Sequence, residues 1–171
     1  MDEIQHLEAF LEEVGGYAKI SEPQKRLGDL NALVQETCHR LEASIQERGM
    51  TLRLELDRDL PPVKFDPAHL RQVILNISKN GIEAMPEGGT LTVVSGRQAG
   101  RVFVQVSDTG EGIPPAVMGK IYQPFFSTKS KGSGLGLAIS QKIIEAHRGE
   151  ITIETEPNKG SRVTLFLNVE P

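Results

Sequence analysis

Residues 90–112, TLTVVSGRQAGRVFVQVSDTGEG, decide the fold. Val102, Val104 and Val106 alternate with their neighbours at the period of a strand with one face buried. Thr90 to Ser95 forms a second strand-like run upstream, and the short Gly-containing connection between the two runs predicts an antiparallel hairpin. Directly after it, Asp108 to Gly112 brings a carboxylate and two glycines to a strand end. The same pattern recurs towards the C-terminus, where Glu150 to Thr155 and Arg162 to Leu167 flank a turn at Pro157 to Gly160. Upstream, Thr51 to Leu56 sets Leu52, Leu54 and Leu56 on one side of a further strand.

Helical patterns fill the intervals. Asp66-Pro67 is a strong start, because the carboxylate accepts a backbone N–H and proline fits the first helical position. The helix that follows buries Leu70, Val73, Ile74, Ile77, Ile82 and Met85, carries Gln72, Asn76, Lys79, Asn80 and Glu83 on the other side, and stops at Pro86 to Gly89. Asp29 or Asn31 caps a helix with Leu33, Val34, Thr37, Leu41 and Ile45 on one face, and Leu137 to Ala146 is a third helix. His147 and Arg148 then read as a basic last turn complementing the helix dipole before Gly149. A short helix fits Pro114 to Lys120. The class is α+β, with about five mostly antiparallel strands and three long helices.

Residues 1–28 read as an appendage and linker, with Ile4, Leu7, Phe10, Leu11 and Val14 on one helical face, and residues 29–171 as the domain proper. A length of 171 residues suits one domain that can bury a core. Hydrophobic residues at 38% and charged residues at 25% are ordinary for a water-soluble domain, and no apolar run approaches the ~20 residues that span a bilayer. The net charge of −4 offers no basic surplus for nucleic acid or anionic lipid. An acidic N-terminus without a signal pattern and a lone cysteine point to the cytoplasm. Cys38 shares a helical face with Val34, Leu41 and Ile45, which makes it a small core residue.

Three constellations carry chemistry. Asn76 and Asn80 lie one helical turn apart on one face, and amide oxygens are hard ligands suited to Mg²⁺, though such a pair also suits a solvated polar face. Asp108 can accept a hydrogen bond from an exocyclic amine, while Gly110 and Gly112 let a planar ring approach the backbone up to Ile113. An aspartic protease would need a second such carboxylate, and neither Asp-Thr-Gly nor Asp-Ser-Gly recurs. Gly132, Ser133, Gly134, Leu135 and Gly136 lead into the helix from Leu137, an arrangement whose N–H groups bind phosphate. Their spacing matches neither the dinucleotide fingerprint nor the P-loop.

In order and spacing these pieces resemble the motifs of sensor histidine kinases. Asn76 to Asn80 looks like the N box, Asp108 to Gly112 the G1 box, Tyr122 to Phe126 the F box and Gly132 to Gly136 the G2 box, the likeness covering about residues 29 to 171. The resemblance implies the Bergerat fold, a two-layer sandwich of mixed sheet and three helices that holds ATP under a short mobile lid. It implies that Asn80 coordinates Mg²⁺, that Asn76 supports the phosphates, and that Asp108 recognises the adenine amine with Gly112 beside it, with Lys79, Gly110 and Ile113 also in the nucleotide site. Ser161 would make a water-mediated adenine contact, and Phe125 and Phe126 would pack the lid. Thr128, Lys129, Lys131, Gly132, Ser133, Gly134, Leu135, Gly136 and Leu137 would form the lid and phosphate cradle, with Lys129 or Lys131 neutralising charge on the transferred group.

These kinases phosphorylate a histidine within a His-Glu or His-Asp pattern on a dimerisation domain, and then pass the group to a response regulator. Here His6, His39, His69 and His147 are followed by Leu7, Arg40, Leu70 and Arg148, so none fits. The resemblance therefore implies a catalytic unit whose acceptor is supplied from elsewhere, with residues 1–16 as the tail of a second dimerisation helix. Gyrase-type and heat-shock-type ATPases share the fold but place a water-activating glutamate where Asn76 stands, and asparagine cannot act as that base. An anti-sigma-type serine kinase and a non-catalytic nucleotide-binding adaptor are the remaining alternatives.

Overall fold

In a computed structural model the described residues are 14–15, 20–129 and 132–169. Val14 and Gly15 are helical, and the rest of the predicted N-terminal helix lies outside the described residues.

The elements run β1 (Arg26–Gly28), α1 (Leu30–His39), α2 (Glu42–Glu47), β2 (Thr51–Leu56), β3 (Val63–Phe65), α3 (Pro67–Glu83), β4 (Thr90–Gln98), β5 (Arg101–Asp108), α4 (Pro115–Met118), α5 (Gly136–Ala146), β6 (Glu150–Glu156) and β7 (Gly160–Asn168). The main sheet has the order β2-β4-β5-β7-β6. Both predicted hairpins form, β4 with β5 and β6 with β7. β2 and β4 are parallel, so their connection must cross over, and it does so through β3 and α3. That crossover lays α3 on the sheet, with α1 and α5 packed beside it.

One face of each central strand meets the helices. Leu91 and Val93 of β4, Val102, Val104 and Val106 of β5, and Leu165 of β7 join Leu70, Val73, Ile74 and Ile77 of α3 and Ile139, Ile143 and Ile144 of α5 in a single core. On the opposite face Phe103 and Phe166 approach at 6.0 Å between ring centroids, and the Arg101 guanidinium lies 4.3 Å from the Phe166 centroid. Cys38 is fully buried, as expected, and burial pushes its thiol up to about 11.

The structure departs from the sequence pattern in several places. The predicted helix through Ile45 is two helices: the Thr37 hydroxyl competes for the Leu33 carbonyl at 2.6 Å, the chain tightens to a Leu41 N–H to Cys38 C=O bond, and α2 restarts after Leu41. β1 and β3 pair antiparallel as a separate ribbon, too short for a period of 2 to show in the sequence. Leu54 is 40% exposed, because β2 is the sheet edge and only Leu52 and Leu56 of its stripe reach the core. Of the basic pair at the end of α5, His147 is not a charged dipole partner: it is buried, its Nδ1–H donates to Ile143 C=O at 2.7 Å, and its Nε2 accepts the Asp66 N–H at 3.0 Å. Burial drives its pKa below the ordinary histidine value, with Lys25 and His69 adding repulsion, so the ring is neutral.

The end of α5 also departs from the expected glycine stop. Arg148 takes the left-handed conformation (φ +57°), with its N–H on Glu145 C=O and the Gly149 N–H on Ile144 C=O. Gly149 is needed one position later, where a Cβ would lie 2.3 Å from the Phe166 carbonyl oxygen.

Candidate functional site

A cavity of about 420 Å³ opens between α3, the end of β5, and the loop that precedes α5. Its position follows from local sequence. Asp66 caps α3 through Ala68 N–H at 2.9 Å and His69 N–H at 3.2 Å, and so sets the phase of the helix. With the apolar stripe packed on the sheet, Asn76, Lys79 and Asn80 come to the cavity wall.

Asp108 stands at the C-terminal end of β5, where the strand leaves the sheet. Its Oδ1 accepts N–H groups from Gly110 at 2.9 Å and Ser161 at 3.3 Å, which pins the carboxyl against the last hairpin. Burial raises its pKa, opposed by those two N–H groups and by the Lys129 charge. A half-buried carboxylate with one oxygen tied to backbone presents the other to a donor in the cavity. Gly81 on α3 leaves room for it, since a Cβ there would stand 3.2 Å from Asp108 Cβ. Gly112 and Ile113 also line the cavity, the Ile113 N–H held by Thr155 Oγ1 at 2.8 Å. Ile77, Val106, Ile153 and Val163 add an apolar floor of the kind that suits a planar base.

The opposite end offers backbone donors that could receive an anion. Gly132, Ser133, Gly134, Gly136 and Leu137 line the wall where α5 begins. Leu135 is the N-cap and offers no side-chain bond, so the first N–H groups of this 11-residue helix keep their donor capacity. Asn76 Nδ2 donates to Gly136 C=O at 3.2 Å, tying α3 to that turn and leaving the amide oxygen. The Asn80 backbone carbonyl accepts the Ala84 N–H at 3.0 Å, while its side-chain amide has no hydrogen-bond partner among the described residues. No trio of His, Cys, Asp or Glu able to hold a metal occurs among them either. A divalent cation here would have neutral amide oxygen from Asn80 and would share its remaining positions with phosphate and water, a donor set that suits Mg²⁺.

Of the predicted site residues, the cavity brings together Asn76, Lys79, Asn80, Asp108, Gly112, Ile113, Phe126, Thr128, Lys129, Gly132, Ser133, Gly134, Gly136, Leu137 and Ser161. Gly110 is off the wall, packed so tightly under the end of α3 that a Cβ would lie 2.2 Å from Ala84 O. Leu135 is wholly buried in the core. Lys131 lies outside the described residues. Phe126 lines the cavity, but Phe125 does not pack the lid: it is 58% exposed with φ +65°. The sequence reading missed the role of Glu83, whose carboxylate pairs with Lys129 Nζ at 2.5 Å across the cavity mouth. Its place one turn beyond Asn80, on the same polar side of α3, was the available signal.

The model of the family described as histidine kinase-, DNA gyrase B-, and HSP90-like ATPase matches residues 65–171, and the chain belongs to that family. Among curated relatives, sporulation kinase A of Bacillus subtilis (strain 168) is 36% identical over 160 residues, covering 93% of this chain and 26% of that protein. The sensor histidine kinase ZraS of Escherichia coli (strain K12) is also 36% identical, over 82% of this chain and 30% of that protein. The chain thus spans under a third of the length of these relatives. Among solved structures, the catalytic domain of histidine kinase ThkA in a nucleotide-free form superposes with a TM-score of 0.78 at 33% identity, covering 85% of this chain and 96% of that one. Full-length ShkA in complex with AMPPNP gives 0.86 at 25% identity, over 95% of this chain and 35% of that one. The fold is thus that of a sensor kinase catalytic domain, and its family is one of nucleotide-binding ATPases and kinases.

Proposed function

We propose that this chain is the ATP-binding catalytic domain of a cytoplasmic sensor histidine kinase, formed by residues 29–171 and preceded by the linker and a partial dimerisation helix in 1–28. The observation that carries the reading is a single cavity with a half-buried carboxylate, Asp108, at its apolar end and glycine-lined helix N–H groups at the other. Adenine fits the first and a polyphosphate the second. Asp108 would accept the exocyclic amine, Asn76 and Lys79 would support the phosphates, and Asn80 would hold Mg²⁺. When bound, that ion would neutralise phosphate charge and orient the γ-phosphoryl group.

Phosphoryl transfer depends on positioning and on stabilising charge more than on covalent help from the protein. Here the α5 N-terminus would fix the chain of phosphates and Lys129 would offset charge developing on the group in flight. The nucleophile would be an imidazole nitrogen of a dimerisation domain outside this chain, attacking in line. Asn76 cannot take a proton from water, so hydrolysis stays slow beside transfer. A response regulator receiver domain would then take the group, as the complex of ThkA with the response regulator TrrA suggests by analogy.

Calorimetric titration with ADP and a non-hydrolysable ATP analogue, with and without Mg²⁺, tests the site. Wild type should bind both; Asp108→Asn should weaken both by about 2 to 3 kcal/mol, since the amide offers an N–H against an amine. Asn80→Ala should remove the Mg²⁺ dependence. Labelled ATP supplied with a separate histidine-bearing dimerisation domain should give acid-labile phosphohistidine; acid-stable phosphoserine on a partner would overturn the choice of acceptor.

A further inference from the structure

The geometry points to Thr155 as the residue that sets the hydrogen-bond polarity of Ser161, and thereby makes the base end of the cavity select a 6-amino over a 6-oxo purine. The inference rests on the nucleotide-binding reading of the cavity. Thr155 is on β6, one strand away from Asp108's own neighbour, β7. Its single hydroxyl has three partners: Ile113 N–H at 2.8 Å, Gly160 C=O at 3.2 Å and Ser161 Oγ at 3.0 Å.

A hydroxyl has one proton and two lone pairs, and the partners fix where each goes. The Gly160 carbonyl can only accept, so it takes the Thr155 proton. The Ile113 amide can only donate, so it occupies one lone pair. What remains for Ser161 is the second lone pair, and Ser161 must therefore donate its proton to Thr155. The Ser161 hydroxyl then has only lone pairs left, and Ser161 is on the cavity wall with its backbone N–H on Asp108 Oδ1.

The consequence is a wall in which Asp108 and Ser161 both present acceptors side by side. An exocyclic amine supplies two hydrogens, one for the carboxylate and one for Ser161 by direct contact. A carbonyl at that position of the ring meets acceptors only. Asp108 alone would leave the Ser161 proton free to rotate and welcome such a carbonyl; Thr155 removes that escape without touching the ligand. It is a positioning residue, and the same three bonds hold the Ile113 loop against the β6–β7 turn.

The test is the ratio of ADP to IDP affinity, which replaces the 6-amine by a carbonyl, with a hydrogen on the adjoining N1, while leaving the phosphates alone. Wild type should prefer ADP. Thr155→Val, close in shape but without the hydroxyl, should cut that preference by about tenfold, because the freed Ser161 proton can turn to the carbonyl. Thr155→Ser should restore it. In a Ser161→Ala background Thr155→Val should leave the ratio unchanged, since there is no proton left to redirect. A loss of affinity by Thr155→Val that is equal for ADP and IDP would reduce Thr155 to a structural role and overturn the inference, as would an equal change of ratio in both backgrounds. Should Thr155→Val not fold, Ser161→Ala alone decides: a falling ADP preference supports an accepting Ser161, and a rising one overturns it. Failure of wild type to bind ADP at all would instead count against the nucleotide reading itself.

Discussion

Gly112 shows how one residue can be required on two counts. Its backbone has φ +69°, and a Cβ there would lie 2.2 Å from the Glu156 carbonyl oxygen, backbone that cannot swing aside. Gly112→Ala should therefore cost about 1 to 3 kcal/mol, because the left-handed conformation is strained for alanine and the β6–β7 turn must move. At roughly 2 to 4 °C per kcal/mol for a domain of this size, a thermal melt should fall by several degrees. ADP affinity should fall with it, since Ile113 and Ser161 share the displaced junction. That Gly112 belongs beside Asp108 was legible from the strand of valines ending in Asp-Thr-Gly-Glu-Gly. That Gly110 instead packs beneath Ala84, off the cavity wall, was not: two glycines two apart look alike until the end of α3 is placed over one of them.

Among the elements, the loop before α5 is held by a contact that joins two distant segments. Ser127 Oγ accepts the Lys129 N–H at 3.1 Å, and Lys129 Nζ reaches Glu83 on α3 at 2.5 Å. Both side chains are well exposed, so the pair adds no more than about 1 kcal/mol to stability. Its larger effect is on charge, because Glu83 offsets the cation at the end of the cavity where we propose the phosphates lie. Glu83→Gln should leave the melting temperature within about 2 °C of wild type. It should tighten binding of a triphosphate analogue by up to about fivefold, with a smaller change for ADP, as read by titration at low and moderate salt. Equal changes for both nucleotides would show that Lys129 does not discriminate the terminal phosphate. The helices themselves were legible wherever caps and stripes agreed, as at Asp66-Pro67 for α3. The break between α1 and α2 was not, because the apolar spacing of Leu33, Val34, Thr37, Leu41 and Ile45 continues unbroken across it.

At the level of the whole molecule, one buried cluster ties the segment before the domain to both ends of its helix layer. The Asp66 carboxylate caps α3 with Oδ1 and accepts the Gln24 N–H with Oδ2 at 2.8 Å. His147 at the end of α5 accepts the Asp66 N–H, and its carbonyl takes Lys25 Nζ at 3.4 Å. Burial opposes the Asp66 charge, but the N–H groups of Gln24, His69 and Ala68 hold its pKa below the ordinary carboxylate value. His147 is likewise depressed, by burial first. As pH falls through about 6.5 the unfolded chain protonates this histidine while the folded chain does not, so stability is full above that pH and declines below it. Asp66 stays ionised to lower pH, and its own contribution is lost only below the ordinary carboxylate range. Denaturant titrations from pH 7.5 to 5 should show that decline, and His147→Ala should flatten it. At pH 7.5 the same variant should lose about 1 to 3 kcal/mol, from the orphaned Asp66 N–H.

The sequence alone determined the two hairpins, the capped helix α3 and the order of the polar motifs, because each is set by neighbours within a few residues: alternation, caps and turn glycines. Only the tertiary structure decided which of those residues meet. The parallel pairing of β2 with β4, the ribbon of β1 with β3, the burial of His147 against Asp66 and the closure of Lys129 on Glu83 all join positions far apart in the chain. Such contacts leave no periodic trace in a sequence, since any acidic residue can answer a lysine and any N–H a histidine. Packing selects the partner, and so it is the packed sheet and helix layer that turned scattered asparagines, glycines and one aspartate into a cavity.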